Sequence, residues 1–277
     1  MNFYGFFMET KYGIEPILIL TKTRNFTKER NFSQKQKAIL VRKIKLLVKN
    51  GNFTKNEEKF IQDAIKSAQF ADEVLLLDSG SIDKTCEIAE RMGVRVENQV
   101  WLGFGPQKNR AVDLAVNDWV FVLDSDERIS SKLQSEIIAT LNNPLFDGYL
   151  VARLNNFFGK DIRTCGLYPD YSVRLFNRTK GKFDNVPVHE SVQIDGKVNK
   201  LNNHMTHLAY DNVDEFIAKQ KLYSELSQKK KNIFKALMSP CWTFIKLYFF
   251  KRGLMDGWHG FVIAKIYAQY TFWKYIK

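Results

Sequence analysis

The 277 residues contain no run of about 18 uncharged apolar residues, so no membrane-spanning helix is expected. The opening stretch, MNFYGFFMETKYGIEP, lacks the basic segment and long apolar core of a secretory leader, so export is not expected either. Cysteine is scarce. Cys86, Cys165 and Cys241 are odd in number and far apart, which fits neither a disulfide framework nor a zinc site and points to a reducing, cytoplasmic compartment. Acidic residues are also in deficit: 30 Asp and Glu stand against 42 Lys and Arg, a formal net charge of +12. Partners of opposite charge follow, namely nucleic acid, anionic lipid or nucleotide phosphate. The basic residues are spread along the chain without zinc-finger spacing or an RNP-like aromatic motif, which argues against nucleic acid.

What is present is a regular alternation of short apolar runs and amphipathic segments from residue 72 onward. The runs at 73–77, 94–96 and 119–123 read as buried strands. Between and after them, SIDKTCEIAERMG, PQKNRAVDLAVND and SSKLQSEIIATLNNP read as helices, the last capped by Ser130 or Ser131 and closed by Asn143 and Pro144. Such an order implies an α/β fold: a mostly parallel central sheet with helices on both faces. Residues 148–201 change character. GYLVARLN, SVRLFN and VQIDGKV, with its Asp195-Gly196 turn signal, add a small antiparallel part.

Beyond His207 the pattern becomes helical and basic. Residues 233–277 are dense in aromatics and punctuated by Lys and Arg, which suits an interfacial element on an anionic membrane or a helical pair packed on the domain. Three segments are therefore expected. Residues 1–53 are irregular, with 16–22 as a candidate first strand. Residues 54–210 form the catalytic domain, with a nucleotide-binding part (54–143) and an acceptor part (144–210). Residues 211–277 form the basic aromatic helical region.

In a parallel sheet, ligands collect at the carboxyl ends of the strands, where Asp78 and Asp124 fall. The stretch VFVLDSDERIS, residues 120–130, places Asp124 and Asp126 around one serine at such an end. Magnesium and manganese favour carboxylate oxygens and share their shell with substrate phosphates, so the pair makes sense beside a diphosphate. A loop start or helix cap is the other reading. His204 and His207 in HMTH have the spacing of one helix turn, although two histidines without a third ligand are more often structural.

Four blocks in register resemble family 2 glycosyltransferases of the GT-A type, in particular lipopolysaccharide-core β-1,4-glucosyltransferases. They are ADEVLLLDSGSIDKTCEIAERMGVRV, GFGPQKNRAVDLAVNDWVFVLDSDERIS, GLYPDYSVRLFNRTKGKFDNVPVHESV and KRGLMDGWHGFVIAKIYAQYTFWKY. The resemblance implies a GT-A-type, Rossmann-like domain and an inverting, metal-dependent transfer of a hexose, glucose first, from a UDP-sugar to a lipid-linked saccharide. It implies that Asp78 contacts the base of the donor, beside Ser79 and Glu57, with capping of the next helix as a compatible role. Lys108 and Asn109 line the nucleotide pocket by the same likeness. Asp126 holds the metal, magnesium or manganese, while Asp124 holds the ribose or a metal-bound water; His207 is a further metal or diphosphate contact. An inverting transferase needs a base for the acceptor hydroxyl, and the likeness puts Glu190 first and Asp170 second. The basic aromatic tail puts such an enzyme at the inner face of the membrane, and no nucleic acid is expected as a partner. One departure stands out: TKNEE, residues 54–58, follows KLLVKNGNF, where the family has an apolar first strand.

Overall fold

The computed structural model describes residues 17–22, 42–43, 58–185, 191–227 and 229–276. In chain order the first elements are β1 (Ile17–Lys22), β2 (Arg42–Lys43), α1 (Glu58–Ala68), β3 (Val74–Asp78), α2 (Thr85–Arg91), β4 (Arg95–Asn98) and α3 (Phe104–Leu114). Then come β5 (Trp119–Asp124), β6 (Glu127–Ile129), α4 (Ser131–Asn142), β7 (Gly148–Phe157), β8 (Lys160–Ile162) and β9 (Asp170–Asn177). The remainder is β10 (Gly181–Phe183), β11 (Val192–Ile194), β12 (Val198–Tyr210), α5 (Val213–Leu226), α6 (Ile233–Ile245), a π-helical turn (Lys246–Phe250), a 3₁₀ turn (Gly253–Asp256) and α7 (Trp258–Ile276). The described residues form two compact units that do not follow chain order: one holds those within 17–152 and 171–205, the other those within 153–170 and 206–276.

In the larger unit the strand order is β2-β3-β1-β5-β9-β7-β12-β6, with β4 on β3. β2, β3 and β4 are parallel, and β5 runs the same way as β3 because both are antiparallel to β1. β2, β3, β4 and β5 thus run one way with β1 reversed among them, and a further antiparallel part begins where β9 pairs with β5. Side chains alternate across a strand. Leu76, Phe121 and Leu123 point into a core closed by Ile61 and Ile65 of α1, Ala89 of α2 and Leu133 and Ile137 of α4. Leu75, Leu77, Val120 and Val122 point the other way, against Ala111 and Val112 of α3. Helices on both faces explain why β3 and β5 are apolar without interruption. The strand expected at 16–22 is present and lies between β3 and β5, but it runs against both. Apolar content selects a central strand; it does not select its direction, since either ladder satisfies the backbone.

The smaller unit combines the second halves of β7 and β12 with β8 and the C-terminal helices. Phe157, Tyr210, Phe216 and Tyr267 form its aromatic core. The HMTH segment is not helical: β12 runs through it. Residues three apart on a strand face opposite ways, so His204 and His207 are not the neighbours that one helix turn would make them. α6 and α7 form the expected helical pair, tied by Thr243 Oγ1 and Thr271 Oγ1 at 3.3 Å.

Candidate active site

β3 and β5 end at the same edge of the sheet, because Leu18 pairs with both Leu76 and Leu123. Asp78 and Asp124 therefore close the two strands that flank β1, at their carboxyl ends. Asp78 is buried and holds the turn behind it: Oδ2 accepts from the amides of Gly80 and Ser81, each at 2.7 Å, and Oδ1 accepts from the Ser81 hydroxyl. It does not cap α2, whose N-cap is Lys84. The reason is the loop length, since six residues separate Asp78 from Thr85.

Gln107, fully buried on α3, organises the rest of this edge. Its Nε2 donates to Ser79 Oγ at 3.0 Å and to the Gln99 carbonyl at 3.3 Å, and its Oε1 accepts from the Leu102 amide at 3.0 Å. The loops after β3 and β4 are thus fixed to one another through a single amide. Lys108 is buried beside it, with its ammonium 5.4 Å from the Phe183 ring centre. Asn109 pairs with the backbone of Phe183, donating to its carbonyl and accepting from its amide, each at 2.9 Å. This docks β10 on α3. The docking leaves no room for a side chain at Gly105, where a Cβ would overlap the Asp184 carbonyl.

The Asp-Ser-Asp stretch is the turn from β5 to β6, and Asp124, Asp126 and Glu127 are all buried. Glu127 Oε2 accepts from the Asp124 amide at 2.9 Å, which tightens the turn. Arg174, on β9, enters from the neighbouring strand. It donates to Glu127 Oε1 at 2.7 Å, to Asp124 Oδ2 at 3.2 Å and to the Val122 carbonyl at 3.4 Å, and Ser172 Oγ accepts from its Nε at 3.1 Å. A guanidinium fork suits this arrangement because it serves two carboxylates at once. Asp124 and Asp126 offer hard oxygen donors of the kind magnesium or manganese takes. Among the described residues no group of three or more His, Cys, Asp or Glu stands close enough to cage a metal alone. A cation that draws its remaining ligands from water and diphosphate needs only one or two carboxylates, and the pair fits that requirement.

In the smaller unit Asp170 Oδ2 accepts from Arg153 Nε at 3.0 Å and from Nη2 at 2.7 Å. His207 Nδ1 lies 2.7 Å from Asn155 Oδ1, and Asn155 Nδ2 donates to the Leu167 carbonyl. The Asn155 amide nitrogen is directed at Leu167, and its oxygen faces the His207 ring. Asp256 fastens the segment that leads to Asp170: its carboxylate accepts from Thr164 Oγ1 at 2.6 Å and pairs with Lys160 at 3.2 Å. Burial pushes the nearby Cys165 thiol up to about 11, opposed by the Thr164 hydroxyl and aided by the charge of Asp256. Glu57 and Glu190 lie outside the described residues.

Sequence reasoning missed Arg174, Gln107, Asn155 and Asp256. Only Arg174 had a visible signal, a charge inside the otherwise apolar strand SVRLFN. The α/β arrangement carries an acidic strand edge, and comparison with known proteins gives the class. The model of the family "Glycosyl transferase family 2" matches residues 53–192. An uncharacterised glycosyltransferase of Rickettsia typhi is 31% identical over 244 residues, covering 81% of this chain and 84% of that one. The lipopolysaccharide core biosynthesis glycosyltransferase LpsC of Rhizobium meliloti is 29% identical over 235 residues, covering 78% and 86%. Among solved structures, S. aureus TarS 1-349 in complex with UDP-GlcNAc matches at 16% identity with a TM-score of 0.42, covering 76% of this chain and 77% of that one. The chain belongs to glycosyl transferase family 2, and it is a glycosyltransferase.

Proposed function

We propose that this glycosyltransferase moves a hexose, with glucose as the first candidate, from a UDP-sugar to a lipid-linked saccharide such as lipopolysaccharide core, with inversion and with magnesium or manganese. The observation that carries the reading is the buried acidic turn at the end of β5, with Arg174 bonded to Asp124 and Glu127, on the same sheet edge as Asp78. The likeness to LpsC supports the acceptor class. Asp126, with Asp124, holds the metal, and a metal bound there supplies positive charge to the leaving diphosphate. Asp78 and Ser79 meet the base, and Lys108 and Asn109 line the nucleotide pocket beside Glu57. Glu190 takes the proton of the acceptor hydroxyl as it attacks the anomeric carbon. Asp170 is second choice for that step, because one of its oxygens already takes both bonds from Arg153. His207 serves as a further contact to metal or diphosphate. By this reading the chain works at the inner face of the membrane, through peripheral contact with anionic lipid and without nucleic acid.

Thermal unfolding with manganese and UDP-sugars tests the donor site, because a ligand selective for the native state raises its stability. A manganese-dependent rise with UDP-glucose is expected, together with loss of metal-dependent turnover in Asp126→Ala. Full turnover in that variant refutes the metal assignment. The reversed direction of β1 favours a second reading, a relative that binds the donor without turning it over. A thermal shift without sugar transfer by the wild-type chain would select it.

A further inference from the structure

The smaller unit presents a surface suited to peripheral membrane contact. A surface helix turns its apolar stripe toward a partner. α6, IFKALMSPCWTFI, carries a single charge, Lys235, among mostly apolar residues, yet only one side of it is covered. Ala236 is buried, Thr243 meets Thr271 of α7, and the Tyr248 ring packs on Phe261 at 5.8 Å. On the other side Phe234, Leu237, Trp242, Ile245 and Phe249 recur at three- to five-residue spacing, Phe250 follows, and all six remain 41–70% exposed. Met255, in the 3₁₀ turn that follows, is 66% exposed. Side chains of this size are rarely left together in water; a contiguous apolar face marks a docking surface.

Charge identifies the occupant. From residue 229 to 277 the chain has ten Lys and Arg and a single acid, Asp256. That acid is engaged by Lys160 and Thr164 and is buried. Lys229, Lys230, Lys231 and Lys235 stand exposed at one end of the apolar face, and Lys251 and Arg252 at the other. Two basic clusters flanking an aromatic stripe match an anionic headgroup layer over an acyl boundary. Among the described residues no helix is long and apolar enough to cross a membrane.

We propose that the outward face of α6 and the π-helical turn seats on an anionic bilayer, with α6 lying in the plane of the interface. This rests on the peripheral-contact reading above and assigns it to specific side chains. The face is held ready rather than formed on contact. The Lys229 amide donates to the Lys274 carbonyl at 3.0 Å, Asn232 donates to the Tyr275 carbonyl at 3.1 Å, and the Cys165 amide donates to the Lys251 carbonyl at 2.9 Å.

The test is co-sedimentation of the full chain with phosphatidylcholine vesicles, with and without phosphatidylglycerol. Binding is expected to the anionic vesicles and to weaken strongly without the anionic lipid. Trp242→Ser and Phe250→Ser should each weaken it about tenfold or more, the effect of withdrawing one buried aromatic side chain. Replacing Lys229, Lys230 and Lys231 with Ser should cost about fivefold per residue near the surface. Both sets of variants alter exposed residues, and each is checked by the manganese and UDP thermal shift, which should match wild type. Equal binding by wild type and the aromatic variants overturns the proposal. So does a wild type that ignores both kinds of vesicle; if it is then a dimer that Phe250→Ser dissociates, the face belongs to a second copy. Vesicle binding without any UDP response would leave this surface standing and remove the donor reading instead.

Discussion

Removing the guanidinium of Arg174 should be the most damaging single change at the acidic turn. The side chain is 7% exposed and bonds to Asp124 and Glu127, which are 6% and 0% exposed. Arg174→Ala would leave two buried carboxylates facing one another without that cation. Breaking a buried pair by removing one partner costs about 3–5 kcal/mol, because the remaining charge is neither solvated nor compensated. At about 2–4 °C per kcal/mol for a protein of this size class, the midpoint should fall by about 6–20 °C. Arg174→Lys should recover only part of the loss, since one ammonium cannot reach both carboxylates, Ser172 and the Val122 carbonyl together. Saturating manganese should stabilise Arg174→Ala by more than it stabilises wild type, because a cation at Asp124 and Asp126 replaces the missing charge. Thermal and urea unfolding with and without manganese measure all three. A midpoint for Arg174→Ala within about 2 °C of wild type would refute the reasoning, since it would mean the carboxylates are not held against desolvation.

Two other expectations follow from local geometry. Gly105→Ala puts a methyl into the Asp184 carbonyl, so β10 must move off α3; a loss of about 1–3 kcal/mol is expected by urea unfolding, as for other overpacked sites. At Glu136, burial acts to raise the carboxyl, but the amides and side chains of Asn202 and Asn203 outweigh it and hold the group below its ordinary value near 4.5. A depressed carboxylate contributes stability that is complete above its unfolded value and lost as pH falls through the folded one. Wild type should therefore exceed Glu136→Gln in stability at neutral pH and converge with it as pH falls through the depressed folded value; parallel acid-unfolding curves would contradict this.

Within residues 72–143 the strands β3, β4 and β5 and the three helices were legible, because burial on two faces leaves an unbroken apolar run and burial on one face leaves a helical period; the short β6 was not. Ser130 accepts the Leu133 amide, as its position before SKLQ implies. Direction was not legible: ILILTK carries the pattern of a central strand, and that pattern is the same for β1 running with or against its neighbours. HMTH failed for a related reason, as the three-residue spacing means proximity on a helix and opposition on a strand. Partnerships over long sequence distance were hidden altogether. Arg174 meets Glu127 across 47 residues and Thr164 meets Asp256 across 92. Such pairs are set by which strands lie side by side, and a single sequence does not encode them locally.

The excess of basic residues and the acidic turn belong to different physical regimes, and salt separates them. The cations at 229–231, 235, 251 and 252 are exposed, so their attraction for an anionic surface acts through water and is screened within about 8 Å at physiological ionic strength and about 3 Å at 1 M. Asp124, Asp126, Glu127 and Arg174 are buried, where mobile ions hardly reach. Raising sodium chloride should therefore release the chain from anionic vesicles while leaving the manganese and UDP thermal shift nearly unchanged. The aromatic face of α6 adds a salt-resistant component, so release should be incomplete in wild type and complete in Trp242→Ser. If salt abolished both responses in parallel, donor and membrane would be competing for one exposed basic surface, and the buried turn of β5 would lose its claim to the donor.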